Sequence, residues 1–155
     1  MLFLVIVNIS FRDEPIQNSF EYVVLITISI LGLLLLCSAN DLITAYLAIE
    51  LHSIAFYIMS AFKRKSSYSI ESGLKYFIIG SLSSALFLFS SSLIYGCLGS
   101  LSFDDLNMFL SLKSSNNTEL DLTLVYIGFI ILCISILIKL AAAPFHFWSL
   151  DVYEG

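Results

Sequence analysis

Charged side chains are scarce in this sequence of 155 residues. They make up 12% of the chain, about half the share that is usual in soluble domains. Apolar residues make up 59%, and the mean hydropathy is +0.95. A shortage of charge on this scale argues against a soluble domain. It predicts an integral membrane protein, organised as a single transmembrane domain over residues 1–155.

Motifs for metals, nucleotides and nucleic acids are also missing. The three cysteines (Cys37, Cys97 and Cys133) lie far apart and lack metal-ligand spacing. No glycine-rich phosphate loop follows a strand pattern, no cysteine cluster suits an iron–sulfur centre, and no basic patch suggests nucleic acid. We therefore expect this chain to bind no cofactor, no metal and no nucleic acid. The N-terminal segment, residues 1–20, lacks the pattern of a cleaved signal.

Long apolar runs dominate the sequence instead. Four runs reach the roughly 20 residues that a helix needs to cross a bilayer, and helices satisfy their own backbone groups there. We predict an all-α membrane protein with four transmembrane helices, at residues 22–40, 42–62, 75–98 and 123–148, the last broken near Pro144.

The connections between these runs are polar and indicate an orientation. A tight turn at Asn40–Asp41 makes the first two helices a hairpin, and polar loops are predicted at residues 63–74 and 104–121. Basic residues cluster in and next to the loop 63–74, whereas the opposite side is mainly acidic. The positive-inside rule places the loop 63–74 on the matrix or cytoplasmic side. The second and fourth helices are then parallel.

Two charged residues, Glu50 and Lys139, lie well inside predicted spans. A charge at mid-membrane depth costs about 2.5–3.5 kcal/mol on insertion scales, so both side chains should face protein or water. Helical spacing places Tyr46, Ser53 and Tyr57 on the same face as Glu50.

Lys139 has polar neighbours and a helix breaker nearby. Ser135 and His146 fall on its helical face. Pro144 cannot donate to the carbonyl of Leu140, which favours a kink next to the lysine. Irregular backbone at this depth is tolerated where it lines a polar cavity.

Opposite charges at similar depth on parallel helices are expected to pair. Glu50 favours the protonated form of Lys139, whereas desolvation favours the neutral amine. A lysine balanced between these effects can take up and release protons, as a membrane proton relay requires. The spacing is also compatible with a static ion pair that joins the two helices, although the nearby proline and the hydroxyl groups on both helical faces favour translocation. It also leaves open whether Lys75 reaches the membrane surface or faces the interior near Glu50, while His52 is predicted to be a packing residue.

Three segments resemble a known family. Residues 38–67 (SANDLITAYLAIELHSIAFYIMSAFKRKSS), 71–89 (ESGLKYFIIGSLSSALFLF) and 139–155 (KLAAAPFHFWSLDVYEG) are similar to subunit 2 of mitochondrial NADH dehydrogenase, an antiporter-like membrane subunit of respiratory complex I. The resemblance covers about residues 33–155, and the PFHFW…DVYEG ending is its most specific part.

The resemblance implies a role for three charged residues. Glu50 matches the conserved glutamate of the family's fifth helix, Lys75 the lysine at the start of the sixth, and Lys139 the lysine of the broken seventh. In the family these residues form part of a proton half-channel that is coupled electrostatically to quinone reduction. The supporting positions are Tyr46, Ser135, Pro144 and His146.

The chain also departs from the family pattern. Leu150 stands where the family usually has proline. The family's first three helices are missing, as are the lysine helix and the second inverted repeat that should follow. We therefore expect the N-terminal fragment of a split or truncated subunit 2, with a separate chain supplying the C-terminal half.

These features lead to one expected function and two alternatives. The expected function is that of a multi-pass subunit of NADH:ubiquinone oxidoreductase in the mitochondrial inner membrane, which contributes to proton translocation but performs no redox catalysis alone. Its partners would be other complex I membrane subunits and lipids. The loop 63–74 would face the matrix and the loop 104–121 the intermembrane space. The alternatives are a structural or assembly subunit without transport, and a subunit of a cation/proton antiporter.

Overall fold

The computed structural model describes residues 20–62, 66–111 and 119–154, and within these ranges the chain is helical without a β-strand. The helices are α1 (Phe20–Cys37), α2 (Leu42–Ser60), α3 (Ser67–Leu98), α4 (Phe103–Ser111), α5 (Glu119–Lys139) and α6 (Phe147–Glu154). The predicted all-α membrane class is confirmed. The predicted features at residues 1–19, 63–65 and 112–118 lie outside the described residues.

Three of the predicted spans, now α1, α2 and α3, are helices long and apolar enough to cross a membrane. The fourth is interrupted, because helical geometry ends at Lys139, five residues before Pro144. Its apolar part, Thr123–Lys139, covers about 25 Å at 1.5 Å per residue, less than a hydrocarbon core of about 30 Å. The predicted break is present, but it lies closer to the lysine than expected.

Helix α3 begins at Ser67, earlier than the predicted start at residue 75. The prediction of a loop at 63–74 is therefore wrong over its helical part. The reason is a local cap: the Ser66 hydroxyl accepts a hydrogen bond from the Ser69 N–H at 3.4 Å. The Ser69 hydroxyl donates to the last carbonyl of α2 at 2.8 Å, so these polar side chains are satisfied where α2 ends and α3 begins.

Helix α4 (Phe103–Ser111) occupies the first part of the segment 104–121, which was predicted as a polar loop. The Ser102 hydroxyl caps it by accepting from the Asp105 N–H at 3.2 Å. Hydrogen bonds from the side chains of Ser100 and Ser102 lower the pKa of the Asp105 carboxyl group. Leu106 is buried in the core. Tertiary packing thus stabilises α4, which the polar composition of the segment did not reveal.

Helix α3 is the centre of the bundle. Helices α2, α5 and α6 pack against it, and α1 packs against α2. A cluster of buried apolar side chains joins α2, α3 and α4: Leu42, Phe87, Ile94 and Leu106. Helix α5 comes close because Gly128 has no side chain; a Cβ there would lie 2.9 Å from Ile94 Cγ1. Small residues permit this kind of close helix contact in membrane bundles.

The α1–α2 turn and the α3–α4 connection meet at one end of the bundle. The Leu42 N–H donates to the Leu101 carbonyl at 3.1 Å, and the Phe103 N–H donates to the Asn40 carbonyl at 3.0 Å. The predicted hairpin at Asn40–Asp41 is confirmed. Its tie to the start of α4 places the two connections on the same side.

Candidate functional site

The centre of the site is an ion pair between two helices. Glu50 of α2 and Lys139, the last residue of α5, are joined through Glu50 Oε1 and Lys139 Nζ. Their side chains are 20% and 18% exposed, so the pair is largely removed from solvent. The structure thus brings together the two charges that the sequence singled out.

Helix α2 directs Glu50 inward along the predicted face. Ser53 and Tyr57 on this face are buried, and Tyr46 packs against Phe87 with ring centroids 5.6 Å apart. The Ser53 hydroxyl donates to the carbonyl of Ile49 at 2.8 Å and lies 3.1 Å from the carbonyl of Glu50. Its polarity is therefore satisfied within the helix.

A third residue of the site, Ser84 of α3, was missed by the sequence analysis. Its hydroxyl oxygen lies 2.5 Å from Glu50 Oε1 and 2.9 Å from the Gly80 carbonyl oxygen. A hydroxyl has one proton, so it can donate fully to only one of these acceptors at a time. The signal in the sequence was the run of serines in α3, which the search for charged residues passed over.

The lysine is presented by a helix end of defined geometry. The Ala142 N–H donates to the Leu137 carbonyl at 3.0 Å, and the Ala141 N–H donates to the Ile138 carbonyl at 3.2 Å. Ala141 has φ +50°. These two bonds around a left-handed residue form a Schellman motif, here with alanine in the position that glycine usually occupies. Helix α5 therefore ends at this motif and not at Pro144, which follows in the connecting segment.

Trp148 also contacts this helix end, and the sequence analysis did not assign it a role. Its indole N–H donates to the Ile138 carbonyl at 3.2 Å. Its ring stacks on Tyr76 of α3, with centroids 5.1 Å apart and planes 13° from parallel.

Two predicted supporting residues, Ser135 and His146, contact groups outside the ion pair. Ser135 is buried between helices: its hydroxyl donates to the Leu132 carbonyl at 2.7 Å, and its carbonyl accepts from the Ser83 hydroxyl at 2.8 Å. His146 is exposed and stacks on Phe147 at 4.8 Å. Ser135 joins α5 to α3, whereas His146 begins the turn into α6.

Lys75 belongs to a separate, more exposed cluster. Its ammonium group lies 3.0 Å from Glu71 Oε1 and 2.8 Å from Asp151 Oδ2, and its side chain is 43% exposed. Lys75 and Ser84 are nine residues apart on α3, about 13 Å along the helix. The structure therefore places Lys75 in this exposed cluster and does not turn it toward the interior near Glu50.

His52 has the packing role that was predicted for it. Its Nδ1 lies 3.2 Å from the Ser29 carbonyl oxygen, which connects α2 to α1. In the part of the chain that the structure describes, no group of three or more His, Cys, Asp or Glu residues could hold a metal ion. The expectation that this chain binds no cofactor stays a prediction.

The arrangement is suited to handling protons. A carboxylate, an ammonium group and a hydroxyl meet in one largely buried position, and each can donate or accept a proton. The low local dielectric strengthens the interaction between the charges and makes an unpaired charge costly.

A helical membrane fold with a largely buried glutamate–lysine pair at a broken helix is what the resemblance to an antiporter-like membrane subunit implied. Residues 39–155 match the family described as "NADH:quinone oxidoreductase/Mrp antiporter, TM". The chain belongs to this family, and the predicted likeness to an antiporter-like subunit of complex I is confirmed.

Relatives of known identity agree. The chain is 43% identical to NADH-ubiquinone oxidoreductase chain 2 of Arabidopsis thaliana over 145 residues, which cover 94% of this chain and 29% of that protein. It is 45% identical to NADH-quinone oxidoreductase subunit N of Maricaulis maris, with 87% and 27% covered. The chain thus spans less than a third of the length of these relatives.

Two solved structures have the same fold. Respiratory complex I from Thermus thermophilus with bound aureothin contains a chain with a TM-score of 0.70 and 32% identity, covering 88% of this chain and 29% of that one. A chain of the membrane-bound sulfane sulfur reductase, an archaeal respiratory membrane complex, gives a TM-score of 0.76 at 26% identity, covering 92% and 27%.

Proposed function

We propose that this chain is a membrane-arm subunit of a proton-translocating NADH:ubiquinone oxidoreductase, and that Glu50 and Lys139 form part of its proton half-channel. The buried pair at the end of a broken helix is the observation that carries this proposal. The relatives are named as subunits of NADH-ubiquinone and NADH-quinone oxidoreductases, which supports membership of such a complex.

Lys139 is the group that exchanges the proton. In the paired state its ammonium group is held by the Glu50 carboxylate, and Ser84 lies against the same oxygen. Loss of a proton from Lys139 to an acceptor farther along the path leaves the carboxylate with the Ser84 hydroxyl as its hydrogen-bond donor. Proton uptake from the other side then restores the pair.

Glu50 sets when Lys139 releases its proton. Attraction to the carboxylate favours the charged lysine, and burial favours the neutral one. A charge that draws Glu50 away from Lys139, or neutralises Glu50, favours release of the proton from Lys139. Redox chemistry elsewhere in the complex would act through such a charge, while this chain performs no electron transfer itself.

In this proposal Lys75 lies at the entrance of the path. It is partly exposed, and its two carboxylate partners form a charged group near one end of α3. Such a cluster can exchange protons with water and pass them inward. The supporting residues Tyr46, Ser135, Pro144 and His146 would shape or hydrate the route, with His146 on its exposed side.

We place the chain in the mitochondrial inner membrane, with the α2–α3 connection facing the matrix. The excess of basic residues around this connection supports that orientation. The segment 104–121, at the opposite end, would face the intermembrane space. Large apolar side chains on the outer surfaces of α1 and α3 remain exposed, as expected for contact with lipids and neighbouring subunits.

The relatives contain more than three times as much sequence, so these 155 residues correspond to only part of a relative. We propose that a separate chain supplies the C-terminal half of subunit 2. Mass spectrometry of a native-gel band with NADH dehydrogenase activity tests it. Such a chain should be found beside this one; its absence, with the missing sequence attached to this polypeptide, would refute the split.

The central experiment replaces the two charged groups separately. Proton pumping is measured in membranes that contain the Glu50→Gln or Lys139→Met variant, normalised to the amount of assembled complex. We expect pumping to fall at least tenfold in both. Asp104→Asn, which neutralises an exposed carboxylate in α4, is the matched control and should pump normally.

The same experiment separates the alternatives. If both variants reduce only the amount of assembled complex, and the remaining complex pumps at the normal rate, the pair is structural and the transport proposal is wrong. Sodium-dependent proton flux without NADH would instead indicate a cation/proton antiporter.

A further inference from the structure

Helix α6 is fastened to α3 at two points close to the end of α5. The Trp148 ring stacks on Tyr76. One turn later, Asp151 accepts a hydrogen bond from the Lys75 ammonium group at 2.8 Å. Trp148 and Asp151 are three residues apart and therefore lie on the same face of α6. The short helix is thus held with a defined face against α3.

This docking brings the indole N–H of Trp148 to the last turn of α5. It donates to the Ile138 carbonyl, the same oxygen that accepts the Ala141 N–H in the Schellman motif. A carbonyl oxygen has two lone pairs, and here both acceptor positions are used. Ile138 immediately precedes Lys139. The indole therefore holds the peptide from which the lysine projects.

Tyr76, on which Trp148 stacks, also contacts helix α2, which carries Glu50. Tyr76 meets Tyr57 of α2 edge to face, with ring centroids 4.7 Å apart. One aromatic ring of α3 thus lies between α2 on one side and α6 on the other. Through these contacts both members of the ion pair are positioned relative to Tyr76.

We propose that Trp148 is a positioning residue for Lys139: its indole N–H fixes the end of α5 so that the lysine is directed at Glu50. This inference rests on the proposed function. Helix ends lose their order easily because their last carbonyls lack partners within the helix. Lysine has a long flexible stem, so the direction in which the backbone presents it decides how often the pair forms.

Trp148→Phe tests the inference, because phenylalanine can stack on Tyr76 but has no N–H. We expect the proton-pumping rate per assembled complex to fall about fivefold, the factor that one typical intramolecular hydrogen bond contributes. The pH profile of pumping should shift and the KM for quinone should remain unchanged. Tyr153→Phe, an aromatic replacement at an exposed position of the same helix, is the control and should behave as the wild type.

Two results would overturn the inference. One is a Trp148→Phe complex that pumps like the control. The other is less assembled complex with a normal pumping rate and pH profile per complex, because that pattern describes packing alone. Should Trp148→Phe fail to assemble, benzothienylalanine is placed at position 148. This analogue keeps the ring shape and replaces the N–H with sulfur. Normal pumping with it would also refute the inference.

Lys139→Met, measured in parallel, separates a failure of the proposed function from a failure of the positioning role of Trp148. Full pumping in Lys139→Met would overturn the proposed function, and the positioning role with it. Lost pumping in Lys139→Met, together with full pumping in Trp148→Phe, would overturn only the role of the indole.

Discussion

Two lysine clusters on this chain use the same chemical groups in different surroundings. Lys139 and Glu50 are about four-fifths buried, and a serine hydroxyl is their third member. Lys75 is 43% exposed, and its partners Glu71 and Asp151 are 63% and 53% exposed. The first cluster joins α2 to the end of α5, and the second joins α3 to α6. Only the first is shielded from water.

This difference in burial predicts which of the two clusters contributes more to stability. Water can replace a lost partner of an exposed charge, so surface ion pairs contribute little to stability. A buried charge has no such replacement, so the loss of one partner leaves a large unfavourable energy. The two clusters should therefore respond very differently to equivalent substitutions.

The largest effect is expected from breaking the buried pair on one side. Glu50→Gln leaves Lys139 without its counter-ion and should destabilise the fold by about 3–5 kcal/mol. The double variant Glu50→Gln/Lys139→Met removes both charges and should recover much of that loss, although it should not pump. Thermal denaturation of the purified complex measures the stability. A double variant whose destabilisation equals the sum of the two single variants would contradict the pairing argument.

The next effect concerns the helix contact that supports the pair. A Cβ at Gly80 would lie 1.9 Å from the Tyr57 hydroxyl oxygen, so Gly80→Ala forces α2 and α3 to adjust beside Ser84. We expect a loss of about 1–3 kcal/mol, as for other overpacked contacts. Gly96→Ala is the control, because nothing lies within 4 Å of its Cβ position. Equal midpoints of thermal denaturation for the two variants would show that the close contact has no energetic role.

A smaller change, of opposite sign, is expected at the break. Ala141 has φ +50°, and a side chain in this conformation costs about 1–2 kcal/mol. Ala141→Gly should therefore raise the stability of the complex by about 1 kcal/mol. Ala142→Gly, one residue later and outside the left-handed region, should lower it slightly. If both variants raised the denaturation midpoint, relief of backbone strain would not be the cause.

The smallest effect on stability is expected from the exposed cluster. Lys75→Met removes two ion pairs, yet the carboxylates of Glu71 and Asp151 become hydrated instead. The change in denaturation midpoint should be smaller than for Gly80→Ala, and it should shrink further in high salt. Pumping should decline less than in Lys139→Met. A Lys75→Met variant as unstable as Glu50→Gln would remove the contrast between the clusters.

The sequence predicted the charged pair but not the residues that hold it. Glu50 and Lys139 stood out because charge is rare in apolar runs, and helical spacing placed them on inward faces. Ser84 and Trp148 gave no such signal. Serine is common in α3, and an indole four residues after a proline has many possible contacts. Their roles depend on which helices meet.

The boundaries of the helices show the same limit. The break was predicted at Pro144, because proline is the visible helix breaker. The structure ends α5 at Lys139 through a Schellman motif centred on Ala141, which no helix propensity would indicate. The early start of α3 and the short helix α4 were missed for a related reason. Serine caps and one buried leucine order segments whose composition is typical of loops.

The sequence by itself determined that this is a helical membrane protein and that Glu50 and Lys139 face inward. Both conclusions follow from the free energy of placing groups in hydrocarbon, which each residue carries irrespective of its neighbours. The tertiary structure decided where α5 ends and which oxygen and nitrogen atoms surround the pair. Those features depend on hydrogen bonds and ring contacts between residues far apart in the chain, such as Trp148 with Tyr76, and these arise only when the helices pack.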